Sequence, residues 1–185
     1  PYEIWATIYK DDFESYPVGS IPAGWQERYS GDGNCKITDA ASLSGTKSFR
    51  ISSQTGWTGS YYKLLPLTGV KRMRWSFAVM ADSNEHHTSY WGFGKPDTSE
   101  EISWGGVNAD FKFYAVGSAG TLEWGKLIFQ KNSWYRIRFD YYSTDKTFDI
   151  SVQSMTAFSG LEVNNINKPL TGIRLSANND GHSVI

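Results

Sequence analysis

The chain has 185 residues, with 18 Lys and Arg against 19 Asp and Glu, a single cysteine, and 8 Trp, 11 Tyr and 10 Phe that make it 16% aromatic. So many aromatics argue against disorder, one cysteine cannot form an intrachain disulfide framework, and a net charge of −1 lacks the basic excess that nucleic-acid binding draws on. The most apolar stretch, Trp75 to Ala81, is far shorter than the roughly 20 residues a bilayer-spanning helix needs, so neither nucleic acid nor membrane insertion is expected.

Helical periodicity is absent along the chain. Short runs alternate apolar and polar residues between clusters of Gly, Asn, Asp and Ser, which is the pattern of half-buried strands. Ser48 to Ser52 is the first clear run. Arg72 to Ala81 sets Met73, Trp75, Phe77 and Val79 on one side and Arg72, Arg74 and Ser76 on the other. Asp110 to Val116 opposes Phe111, Phe113 and Ala115 to Asp110, Lys112 and Tyr114. Trp134 to Tyr142 opposes Tyr135, Ile137, Phe139 and Tyr141 to Trp134, Arg136, Arg138, Asp140 and Tyr142. Thr147 to Gln153 gathers Phe148, Ile150 and Val152, and Gly172 to Ser176 gathers Ile173 and Leu175 opposite Arg174. Turns are expected at residues 31–34, 117–120, 143–146 and 178–181. No linker divides the chain. Residues 1–185 therefore predict a single all-β domain of about ten strands, an antiparallel two-sheet sandwich with one buried and one wet face per sheet.

Three segments resemble known domains. Asp12-Phe13-Glu14-Ser15-Tyr16, followed by Val18-Gly19-Ser20-Ile21-Pro22 and Gly24-Trp25, resembles the opening of many secreted jelly-roll domains. Ser44 to Ile51 is similar to one of their strands. Asn132 to Ile137 with Asp145 to Ile150 resembles the paired strands of concanavalin A-like lectin/glucanase domains, laminin-G-like ones included. The first two segments are also similar to galactose-binding-like carbohydrate-binding modules. The resemblance implies a jelly roll that binds a glycan or polysaccharide outside the cell or at its surface. It also implies a structural calcium ion at Glu14, with Asp12 and Asp180 as further oxygen ligands. It implies no activity, because the E-x-D-x-x-E pattern of the glucanases and the catalytic strands of the alginate-type lyases do not occur here. A closing strand is expected where the chain reaches Ser183-Val184-Ile185, so the final strand is read as missing or supplied otherwise.

No catalytic residue is assigned. Cys35, His86, His87 and His182 form no signature, and the adjacent histidines diverge on a strand. Asp110, Asp140 and Asp149 are carboxylates that one sheet face would bring together, and cross-strand pairing with Arg74, Arg136 and Arg138 is the favoured reading of them. The informative residues are aromatics on polar sides. Trp134 and Tyr142 share a side with Arg136 and Arg138, and Tyr114 lies beside Asp110 and Lys112. If one sheet joined these with Arg72, Arg74 and Arg174, its outer face would suit an acidic polysaccharide. Trp57, Trp91 and Trp104 lie among Gly and small polar residues, as recognition-loop aromatics do. The expected glycan-binding set is therefore Trp57, Trp91, Trp104, Tyr114, Trp134, Arg136, Arg138 and Tyr142. Two alternatives stand beside it. One is a structural subunit of an extracellular filament, sheath or surface layer, self-assembled by strand exchange through Pro1 to Lys10 or joined to neighbouring domains of a larger secreted protein. The other is a polysaccharide lyase or glycoside hydrolase, a lyase using Tyr114 or Tyr142 as base with Arg136.

Overall fold

The computed structural model describes residues 6–29, 35–53, 59–81, 88–98, 100–108, 110–178 and 182–185. Among the described residues fourteen strands run in chain order: β1 (Trp25–Tyr29), β2 (Lys36–Thr38), β3 (Ser48–Ser52), β4 (Gly59–Leu64), β5 (Arg72–Ala81), β6 (Thr88–Lys95), β7 (Glu100–Val107), β8 (Lys112–Gly117), β9 (Gly120–Ile128), β10 (Trp134–Tyr142), β11 (Thr147–Val152), β12 (Met155–Glu162), β13 (Gly172–Asn178) and β14 (His182–Val184). They form two seven-stranded sheets, the first ordered β1-β4-β13-β6-β7-β8-β9 and the second β12-β11-β10-β5-β14-β3-β2. Every strand pair in both sheets is antiparallel.

The strand period of two builds the core directly. In the second sheet, Phe139 pairs with Trp75 and Ile150, and Ile137 with Phe77 and Val152, so all six aim at the same side. In the first sheet, Phe93 pairs with Ile173 and Ser103, and Trp91 with Leu175 and Gly105. These two inner faces meet. Phe93 lies 6.0 Å from Phe139 and 5.9 Å from Phe148, both edge-on, the arrangement favoured by ring quadrupoles. Much of the aromatic content is thereby spent between the sheets.

β3, β5 and β10 match their expected bounds, and β5 and β10 keep one wet face. The count of about ten falls short, because β6 and β7 are buried or crowded on both faces and lose their alternation. A further strand, β12, follows a two-residue hairpin in which Gln153 (φ 50°) and Ser154 (φ 66°) both take the left-handed conformation. Such turns are normally advertised by Asn-Gly or Asp-Gly. At the C-terminal side, β14 inserts between β3 and β5, and Ile185 exchanges two backbone hydrogen bonds with Phe49. The segment expected to be only the beginning of a closing strand is therefore itself a short strand inside the second sheet. Within the proposed donor arm, residues 6–10 form no strand, and residues 1–5 lie outside the described residues.

Candidate functional site

The outer face of the first sheet is a checkerboard of large and absent side chains. One cross-strand row reads Tyr62, Arg174, Gly92, Trp104, Val116, and the next reads Ser60, Ser176, Tyr90, Gly106, Tyr114, Glu123. Large side chains lean over the glycines between them. A Cβ on Gly92 would stand 3.0 Å from Glu101 Cγ and 3.1 Å from a Tyr90 ring carbon. One on Gly106 would collide with the Ser89 carbonyl oxygen and stand 2.8 Å from the Tyr114 hydroxyl. The glycines are thus required by close approach, and the aromatics lie low across the sheet.

Trp104 stacks on Tyr90 at 5.6 Å with a 29° interplanar angle, and the Arg174 guanidinium covers Tyr90 at 5.0 Å from its centroid. Arg174 Nη1 donates to Glu101 Oε1 at 2.7 Å, with the two side chains only 7% and 5% exposed. Arg174 Nε also donates to Ser60 Oγ at 2.8 Å and Ser176 Oγ at 2.9 Å. Burial, and then the neighbouring Glu101 charge, push the Tyr90 hydroxyl far above its ordinary value, so it remains a neutral group hydrogen-bonded to Glu101. An ion pair this deep on an outward face is costly to desolvate, and the two serine hydroxyls and Tyr90 add to the bonds that hold it. The arrangement offers a partly exposed indole braced by buried polar groups, and an indole suits a ring with an apolar face.

The outer face of the second sheet is different in kind. Trp134, Arg136, Arg138, Asp140 and Tyr142 alternate outward along β10 and pair in turn with Met80, Ala78, Ser76, Arg74 and Arg72 of β5. Asp140 is buried between two guanidinium groups, Arg74 Nε at 2.6 Å and Arg138 Nε at 3.0 Å. Asp149 stands directly across from Asp140, and its oxygens accept from Gly160 N at 2.7 Å, Ser159 Oγ at 3.2 Å and Tyr142 Oη at 3.3 Å. Asp140 thus pairs with Arg74 and Arg138, as expected of it, whereas Asp149 accepts from an amide and two hydroxyls rather than from an arginine. Asp110 lies beside β8 of the other sheet, so the three carboxylates share no face.

The expected glycan-binding set is accordingly divided. Trp134, Arg136, Arg138 and Tyr142 share the second outer face, while Trp104 and Tyr114 belong to the first. Arg174 and Tyr114, placed on the Arg-rich platform by the single-sheet expectation, belong to the opposite sheet because β13 and β8 do. Trp91 is corrected: it is 1% exposed and faces the core, 5.3 Å from Phe77 and 6.2 Å from Phe113. Its flanking glycines mark the partners of outward neighbours, not a recognition loop. Tyr114 is buried, its hydroxyl donates to the Ser89 carbonyl at 3.3 Å, and desolvation holds its pKa well above the ordinary tyrosine value. It and Arg136 lie on opposite sheets, which removes that lyase pairing. Trp57, Asp180, His86 and His87 lie outside the described residues. Tyr90 and Glu101 were not singled out as binding residues. Their signal was the glycine spacing in Tyr90-Trp91-Gly92-Phe93-Gly94 and Trp104-Gly105-Gly106.

The Glu14 carboxylate does not fit the calcium expectation. Oε1 accepts from Thr46 N and Lys47 N, and Oε2 from Thr46 Oγ1, each at 2.8 Å. The Lys47 ammonium itself donates to the Glu14 and Tyr16 carbonyls at 2.9 Å, a cation already in place. Asp12 Oδ1 accepts from Glu14 N at 3.2 Å. Among the described residues no group of three acidic, histidine or cysteine side chains gathers. The Thr46 hydroxyl first, then the Thr46 and Lys47 amides, hold the Glu14 carboxyl below its ordinary 4.5. A carboxyl depressed on folding stabilises above its unfolded pKa and loses that contribution as pH falls through its folded value. Glu14→Gln should therefore melt below wild type at neutral pH, with the gap closing below 4.5. Thermal melts across that range check it, and a gap that does not change with pH contradicts it.

No protein-family model and no curated protein matches the chain. Solved structures do. The catalytic domain of the glycoside hydrolase family 131 protein from Coprinopsis cinerea superposes with TM-score 0.60 at 12% identity, over 96% of this chain and 91% of that one. The carbohydrate-binding module CBM66 from Bacillus subtilis gives 0.53 at 14% identity, over 91% and 95%. A sialidase gives 0.61 at 16% identity over 83% of this chain, which spans only 13% of that enzyme. What the chain shares with these structures is the fold, a two-sheet antiparallel β-sandwich. At these identities the likeness is one of architecture.

Proposed function

We propose that this chain is an extracellular, non-catalytic carbohydrate-binding sandwich that takes a sugar on the outer face of its first sheet. The observation that carries the reading is the Trp104–Tyr90 stack over glycine, beside the buried Arg174–Glu101 pair. Trp104 would cover the apolar face of a sugar ring, braced from beneath by the buried Tyr90, Arg174 and Glu101 side chains. The carbohydrate-directed names among the structural neighbours support this reading without fixing the sugar.

An array of soluble neutral and acidic polysaccharides, read by tryptophan fluorescence and calorimetry, tests it. Truncating a central aromatic anchor costs about 2 kcal/mol or more, so Trp104→Ala should weaken binding roughly thirty-fold. Unchanged affinity of that variant for every polysaccharide the wild type binds, or no binding to any polysaccharide by the wild type, defeats the proposal.

A further inference from the structure

The outer face of the second sheet concentrates positive charge in a chain that is nearly neutral overall. Its outward positions carry Lys36, Arg50, Arg72, Arg74, Arg136 and Arg138, against the carboxylates Asp140, Asp149 and Glu162. Two of those carboxylates are committed. Asp140 grips Arg74 and Arg138 through their Nε atoms, and Asp149 is filled by Gly160, Ser159 and Tyr142. Asp140 thereby orients two guanidinium groups without hiding them, since the Arg74 and Arg138 side chains remain 41% and 45% exposed. Arg136, two residues from Arg138 on the same side of β10, is exposed beside them. Aromatic rings bracket the row: Trp134 at one end of β10, and Tyr142 at the other with the Arg72 guanidinium 5.4 Å above its ring. At about 3.4 Å per residue the line from Trp134 to Tyr142 is roughly 27 Å long, enough for several sugar units.

We infer that this face is a second binding site, distinct from the Trp104 face, for an anionic polysaccharide bearing carboxylates or sulfates. Guanidinium groups held in fixed orientation match those anions with paired hydrogen bonds, and the terminal rings suit the C–H faces of sugars, which a bare polyphosphate lacks. Association should weaken as salt rises, because the cations are solvent-exposed.

The test uses the whole chain, with heparin and polygalacturonate as anionic probes, dextran as the neutral control and a DNA duplex as the competing polyanion. Heparin or polygalacturonate should bind, and dextran should not bind at this face. Arg136→Ala should lose roughly ten-fold in affinity for the anionic polymer with an unchanged melting temperature, since the side chain is exposed. Arg136→Lys should recover only part of the loss, because an ammonium keeps the charge and not the fork. Trp104→Ala should leave this binding unchanged. Equal or tighter binding to DNA overturns the inference, as does an affinity indifferent to Arg136→Ala. A chain that binds a neutral glycan through Trp104 and no anionic polysaccharide overturns it too, while leaving the first face's role intact.

Discussion

Phe139→Ala should remove about 3–5 kcal/mol of unfolding free energy, out of a total of about 5–15 kcal/mol for a domain of ordinary stability. Phe139 is fully buried at the middle of β10 and touches rings from both sheets: Trp75 at 5.6 Å and Phe77 at 6.4 Å beside it, and Phe93 at 6.0 Å across the core. Its tip also reaches Gly105 on the facing sheet, where an added Cβ would stand 3.3 Å from Phe139 Cζ. The opposing position is already empty, so no side chain is available to fill the hole the truncation leaves. A cavity between two rigid sheets collapses poorly, which places the cost in the upper part of the range. Phe139→Leu keeps most of the volume and should cost about 1.5 kcal/mol or less. Urea denaturation followed by tryptophan fluorescence measures both. A loss near 1 kcal/mol for the alanine variant would mean that the sheets close over the gap, contrary to this packing.

The sequence patterns that proved legible belong to strands with one dry and one wet face. Arg72 to Ala81 and Trp134 to Tyr142 alternate cleanly, and their bounds and facing follow from that alone. On β7 the adjacent Glu100 and Glu101 diverge as a strand's period of two requires, Glu101 toward Arg174 and Glu100 toward Lys168. What escaped were positions decided by a partner strand distant in sequence. Tyr90 and Trp91 are both large and both buried, so no periodicity says which of them faces the core; that depends on β13 pairing at Leu175 and Ser176. The glycines of β6 and β7 likewise look like loop residues until Tyr90 and Tyr114 are seen lying across them. Arg174 carried its meaning only once β13 was placed between β4 and β6, which brings it to Glu101 and away from the arginines of β5 and β10. Sheet membership, unreadable from local pattern, is what separates one platform into two faces of different chemistry.

That separation gives the Arg174–Glu101 pair its sharpest expected result. Glu101→Ala should destabilise the protein by about 3–5 kcal/mol, because it leaves a buried guanidinium without its carboxylate, and Arg174→Ala should do the same in the opposite sense. The combined Glu101→Leu, Arg174→Met variant removes both charges at similar volume and should recover most of that loss, since apolar replacements of buried pairs are often neutral or stabilising. The two single variants and the double one form a cycle whose coupling should be large, as the groups are in contact at 2.7 Å. Glycan affinity should not follow stability. The double variant should regain most of the stability and still bind sugar poorly, because Tyr90 would lose its hydrogen bond to Glu101 and the guanidinium above its ring. Urea denaturation and calorimetry on the same samples separate the two quantities. If the apolar double variant bound glycan like wild type, the pair would serve the sheet alone, and a sheet gains nothing from a buried charge pair that leucine and methionine could replace. Loss of binding with stability intact would instead assign the cost of that desolvation to recognition on the Trp104 face.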